Sequence, residues 1–325
     1  MEVLRMHKSH FHFVENLYKY LIISGVVIVI GIVVACIFGV EMDINFKGGT
    51  RFTYTYTGEI DMAEVQSLAE DTLQAQVTVT QSTGMTGDDA RLVITLVGDQ
   101  SVTTETQQAL TDGLTEAYPD NNIALGDSNT VSPTIASSFF AKSIFAVALA
   151  GLLVVIYVGF RFRKIGGISA ACMALLALVH DCIIAFVACV IFRLEIDANF
   201  IAVIVTIFGY SLNNTIVIYD RVRENRRLQP GLQIAELVNN SINETMSRSL
   251  FTTITTFIAV ATVAVVAEIF GLTTLRSFAI PMAVGLVAGC YSSMCLAGPL
   301  WVRWIWHKEK HPKKSKQEKK KAKKK

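Results

Sequence analysis

The chain has 325 residues, 52% of them hydrophobic and only 17% charged, with a formal net charge of +2. Charge this sparse, with apolar residues gathered into long blocks, excludes an ordinary soluble enzyme and points to a polytopic membrane protein. A span needs roughly 20 predominantly apolar residues to cross about 30 Å of hydrocarbon; six stretches qualify, at 18–40, 139–160, 167–191, 199–219, 249–269 and 278–302.

The first span follows a polar, His-containing start (1–17) and has no small-residue cleavage site behind it. It reads as a retained helix, not a removed signal peptide. Segment 41–137 has a fold signature of its own. Arg51–Thr57 (RFTYTYT) alternates as a strand does. Asp61–Leu73 opens on an acidic cap and sets Met62, Val65, Leu68, Ala69 and Leu73 on one helical face. AQVTVTQ and ARLVITLV read as two further strands around the turn-rich STGMTGDD. A second helix, capped by Thr103 or Thr104, precedes a short strand near Ile123–Leu125. The order βαββαβ predicts a ferredoxin-like α+β domain between the first and second spans. It carries 15 acidic and three basic residues (41–138) and no histidine. That composition argues against metal or nucleic-acid binding and for a polypeptide- or subunit-contacting surface.

Residues 138–306 hold the other five spans. Basic residues cluster in the RFRK turn (161–164) and after Trp306, so the positive-inside tendency places both termini, that turn and a loop at 220–248 in the cytoplasm. The acidic 41–137 domain is then extracytoplasmic. The low-complexity tail 307–325 cannot bury a core; it is a solvated end that enforces topology, or it contacts anionic lipid or ribosomal RNA. All six cysteines fall within the spans, in no metal-ligand spacing, and read as small apolar packers.

Three polar features interrupt the apolar spans. His180 and Asp181 stand about halfway along the third, where a charge costs on the order of 2.5–3.5 kcal/mol; they are a structural pair between helices or a proton-linked site. In the fourth, GYSLNNT gathers Tyr210, Ser211, Asn213, Asn214 and Thr215, which must face other helices or a wet cavity. In the fifth, Arg248 precedes a hydroxyl-rich side that includes Thr252. A guanidinium in the bundle needs a partner, and the depths favour Asn214 first. Asp220 is expected to pair with Arg221 or Arg223, beside Glu224 and Asn225.

DINFKGGTRF (43–52), VSPTIASSFFAKS, VHD, GYSLNNTIVIYDRVREN and INETMSRSLFTTITT occur in the order of a known family. Over roughly residues 15–305 the chain resembles the SecF subunits of bacterial SecDF export complexes, in the resistance-nodulation-division superfamily. The resemblance implies an accessory subunit that works with SecD beside the SecYEG channel, with YajC as a further partner and no cofactor. Ion flow through the bundle would move outer domains that hold the emerging preprotein. Carried over residue by residue, the family's intramembrane aspartate falls on Asn214, and its basic partner falls on Arg248. An amide cannot titrate. Either SecD or Asp181 supplies the coupling acid, or the subunit is uncoupled, or the chain is an Asp-to-Asn variant.

The alternatives are a non-coupled scaffold subunit of the same complex and half of a small-molecule or lipid exporter of the same superfamily. A membrane enzyme is disfavoured, because the sequence offers no nucleophile–base set, zinc spacing or P-loop.

Overall fold

The computed structural model describes residues 11–82, 90–97, 102–163 and 165–310. Most of the turn expected at STGMTGDD, Lys164 of the RFRK turn and the greater part of the basic tail lie outside the described residues.

The first span is α1 (Leu17–Phe38), apolar on every side apart from Lys19 near its start and Ser24. A short helix, α2 (Ile44–Lys47), then leads into the α/β domain, with Asp43 capping it by accepting from Asn45 N at 2.8 Å. Gly48 ends α2 at φ 80°, and a Cβ there would lie 2.9 Å from Pro133 Cα. The first glycine of FKGG is thus required by both backbone sign and close approach. The domain runs β1 (Gly49–Tyr56), α3 (Met62–Leu73), β2 (Val77–Ser82), β3 (Ala90–Val97), α4 (Thr104–Ala117) and β4 (Ala124–Val131). Asp61 caps α3 through Ala63 N, and Thr103 caps α4 through Thr106 N. The strands pair antiparallel in the order β2-β3-β1-β4.

Alternation in β1 sends Phe52, Tyr54 and Tyr56 into one face, where they pack with Leu92, Ile94, Val65, Leu110 and Leu114 under the two helices. β4 is longer than the short strand expected near 123–125. Its polar residues GDSNT occupy an exposed edge, so no apolar alternation marks them. Gly126 falls at the register shift between Thr53 and Tyr54, as the extra residue of a bulge.

Among the described residues, five further helices complete six that are long and apolar enough to cross a membrane. They are α5 (Pro133–Arg161), α6 (Ile168–Ile191), α7 (Ala198–Leu228), α8 (Ile234–Ile269) and α9 (Thr273–Ser292), the last continuing through a π turn (Ser293–Ala297) into α10 (Gly298–Lys310). Ser132 caps α5 with Pro133 at its first position, which accounts for the VSPT motif. Asp197 caps α7 through Phe200 N at 3.1 Å. The last span is the most enclosed, whereas α1 and α8 present most of their surface outward. Large apolar side chains on the outside, among them Ile22, Phe145, Phe160 and Phe251, suit lipid rather than water.

The expected loop at 220–248 is instead helical except for a connection at 229–233. Ion pairs hold the extensions together. Asp220 meets Arg161 of α5 at 3.0 Å and Arg223 at 3.1 Å, while Arg221 meets Glu224 at 2.7 Å and Glu244 of α8 at 2.5 Å. Asn225 Nδ2 donates to Glu244 and to Ser241. Pairs spaced three apart along one helix, joined by cross-links between helices, carry both helices beyond their apolar stretches.

Candidate functional site

The polar centre of the bundle is built around Asp181 on α6, which is fully buried. Ser211 of α7 donates to its Oδ2 at 2.6 Å, and Ser292 at the end of α9 donates to the same oxygen at 2.8 Å. His180 Nδ1 lies 3.0 Å from Oδ1. The other ring nitrogen, Nε2, lies 3.0 Å from Ser24 Oγ on α1. Ser24 in turn approaches the hydroxyl of Tyr291, which donates to Tyr20 O at 2.7 Å. One carboxylate therefore joins three spans directly, His180 extends the network to a fourth, and both carboxylate oxygens are engaged.

A second set of hydroxyls adjoins it. Thr215 Oγ1 and Ser293 Oγ are 2.9 Å apart, and Ser293 donates to Ser211 O at 3.1 Å. Ser293 opens the π turn, a departure from regular helix that recurs at functional sites. Small residues let the helices approach. A Cβ on Gly289 would lie 2.9 Å from Ser211 Cβ, and one on Gly285 would lie 2.1 Å from Ile207 Cδ1.

The GYSLNNT cluster divides between two environments. Ser211, Asn214 and Thr215 are buried, and Tyr210 donates to Thr253 Oγ1 of α8 at 2.9 Å. Asn213, expected to face the interior, is exposed on the outside of α7. The buried Asn214 Nδ2 has no partner among the described residues. The expected Asn214–Arg248 contact is not made. Arg248 lies within α8, which begins at Ile234. Its side chain is exposed and lines an open cleft with Asp220, Arg223 and Arg227. Thr252, the predicted hydroxyl beside it, is also exposed and donates to Arg248 O at 2.8 Å. Thr255 and Thr256 bond in the same way to carbonyls of their own helix. The hydroxyl-rich side of α8 is therefore largely self-satisfied.

Ser24, Ser292 and Ser293 escaped the sequence reading. YSS in the last span was the available signal, but only the packing register shows that it meets Asp181. In chemical terms the site holds one buried carboxyl and one imidazole in contact, with hydroxyls leading away. Such a pair can hold a proton on either group and reorient its hydroxyl donors.

The family profile described as protein export membrane protein SecD/SecF, C-terminal, matches residues 110–307. The chain is 30% identical over 300 residues to the protein translocase subunit SecF of Alicyclobacillus acidocaldarius, covering 91% of this chain and 94% of that one. It is 33% identical to the protein translocase subunit SecDF of Bacillus subtilis over 88% of this chain and 37% of that longer one. The crystal structure of SecDF, a translocon-associated membrane protein from Thermus thermophilus, superposes with a TM-score of 0.78 at 26% identity. That match covers 93% of this chain and 40% of the SecDF chain. Matched nearly end to end by translocase SecF subunits and by under half of fused SecDF chains, this multi-pass membrane protein belongs to the SecF family of the SecD/SecF protein-export proteins.

Proposed function

We propose that this chain is the SecF half of a SecD–SecF pair that promotes preprotein translocation across the bacterial cytoplasmic membrane, driven by the proton gradient. The observation that carries the reading is the buried Asp181, in contact with His180 and held by donors from two other spans. An ionised carboxylate accepts from all three. Protonated on Oδ1, it can donate to His180 Nδ1 in the other ring tautomer, which turns Nε2 into the donor toward Ser24; protonated on Oδ2, it must donate where it accepted, and a serine has to turn away. Proton uptake and release thus exchange donors and acceptors along the links of α6 with α1, α7 and α9, which is the form of two-state element that an ion-driven machine needs. A proton suits the site better than Na⁺, since its partners are hydrogen-bond donors and a titratable ring.

Three features support the wider assignment. Asn213 and the open side of α8 leave polar groups and apolar surface without an intramolecular cover, as expected where a second six-span half from SecD would pack. The strand order of the α/β domain agrees with a ferredoxin-like unit, which positive-inside reasoning places outside the cytoplasm with both termini inside. SecYEG is then the neighbouring channel, with YajC as an accessory. The preprotein would meet the α/β domain, and the basic tail would meet anionic lipid.

A second reading, a scaffold with no proton path of its own, is favoured by the non-titrating Asn214 and by the complete bonding of Asp181. One experiment separates the two. Inverted vesicles lacking native SecF are supplied with SecD and this chain, and preprotein translocation is followed with and without a proton gradient. Stimulation only with the gradient supports the coupled subunit. Equal stimulation in both conditions supports the scaffold.

A further inference from the structure

The α/β domain is fastened to the bundle at one place where charge, backbone and aromatic packing converge. Arg51 on β1 sends Nη1 to Asp43 at 2.8 Å and Nη2 to Glu195 at 2.6 Å. Asp43 belongs to the root of the domain, and Glu195 belongs to the turn between α6 and α7. That turn also pairs with the root through backbone. Asp43 N donates to Ile196 O at 3.1 Å, and Ile196 N donates to Glu41 O at 2.9 Å, forming a parallel bridge of Met42 with Ile196. Arg193 of the same turn forms an ion pair with Glu41 and donates to Phe38 O at 2.6 Å. Below, Phe46 of α2 sinks into the cluster formed by Ala185, Cys189, Phe200 and Ile207 of α6 and α7. Its ring lies 5.3 Å from that of Phe139 on α5.

The α6–α7 turn joins the two helices that carry Asp181 and Ser211. From this arrangement we infer that Arg51 is a positioning residue: its fork holds the α/β domain to the α6–α7 turn, so that movement of α6 against α7 reaches that domain. Two different guanidinium nitrogens serve two carboxylates from two parts of the fold; the rigid planar fork fixes both in one geometry, which an ammonium on a flexible stem does not reproduce. Asp43 is almost wholly buried while Arg51 is about one-fifth exposed, so the joint is shielded enough to hold and is not a loose surface pair. Burial raises the pKa of Glu195 against the opposing pull of Arg51. Burial thus works against the ion pair, which suits a positioning role better than a stabilising one.

The role in export rests on the proposed function above; the fastening itself does not, and the test separates them. Hydrogen exchange is measured on the full chain with SecD, comparing the native protein with Arg51→Gln and Arg51→Lys. Exchange at 41–48 and 192–198 should be about tenfold faster or more in Arg51→Gln, with the helices and the sheet core unchanged. Unchanged exchange at those segments overturns the joint, whatever the export assay gives. In vesicles, Arg51→Gln should lose most gradient-dependent translocation, and Arg51→Lys should resemble Arg51→Gln. Native-like, gradient-dependent translocation by Arg51→Gln despite a loosened joint overturns its part in transmission. Absence of stimulation by the native chain would instead count against the export reading, and the exchange result would still decide the fastening.

Discussion

Ser211 Oγ donates to Asp181 Oδ2 at 2.6 Å across the contact of α7 with α6, in a part of the bundle closed to solvent. Ser211 belongs to the GYSLNN stretch of α7, so the hydroxyl of that stretch is tied to a carboxylate on another span. The amide two positions before Thr215, Asn213, faces outward, and Asn214 Nδ2 has no partner among the described residues. The titratable group of this centre is on α6.

Removal of that carboxylate should affect stability and function differently according to the replacement. Asp181→Ala orphans the buried hydroxyl of Ser211, at about 1–3 kcal/mol for an unsatisfied group, and leaves Ser292 only its 3.3 Å bond to Gly289 O. The variant should accumulate poorly and unfold at lower temperature in detergent. Asp181→Asn preserves the shape and an acceptor, so it should accumulate near the native level. Thermal unfolding of the two variants side by side gives the comparison.

Gly289 faces Ser211 so closely that a methyl group would lie 2.9 Å from Ser211 Cβ and 3.1 Å from its Oγ. Cβ is fixed to the backbone and cannot swing aside, so Gly289→Ala must push α7 away from α9. The expected cost is about 1–3 kcal/mol, typical of overpacking, together with a lengthened Ser211–Asp181 bond. Gly209, with open space around its position, is the control. Gly209→Ala should leave unfolding unchanged or slightly raised.

Glu195 supplies a pH signature. Burial drives its carboxyl above the ordinary value of 4.5, opposed by Arg51 and assisted by the negative charges of Asp43 and Glu41. The folded chain therefore holds this proton more tightly than the unfolded chain. Its contribution to stability is full below 4.5 and is lost as pH rises through the higher folded value. Glu195→Gln removes that loss. Between about pH 4 and pH 7 the melting temperature of the variant should fall less than that of the native chain, and near pH 7 it should not lie below it.

Much of this architecture is legible in the residues. Six apolar runs mark six spans within a few residues at most ends, because hydrocarbon permits no other composition there. The caps at Asp61 and Thr103 are where the local pattern puts them. β4 stayed largely hidden because an exposed edge strand needs no apolar alternation, and its pairing with β1 is a long-range choice. The helical extensions of α7 and α8 were hidden by their charge, which resembles a loop until the partners of Arg221 and Asp220 are known. The partner of Arg248 was not legible: the side chain is exposed, and Asn214, chosen for it by position along the spans, does not meet it. His180 and Asp181 stood out as costly residues in a span, but their partners Ser24 and Ser292 depend on the packing of helices far apart in sequence.

The measurement that bears most directly on the central claim is proton-gradient-dependent preprotein translocation by Asp181→Asn, assayed with SecD in vesicles lacking native SecF, beside the native chain and Asn214→Asp. If Asp181 carries the coupling proton, Asp181→Asn accumulates normally and loses the gradient-dependent stimulation, while Asn214→Asp leaves that stimulation in place. If Asp181→Asn retains the full stimulation, the buried carboxylate is interhelical glue and the account is wrong.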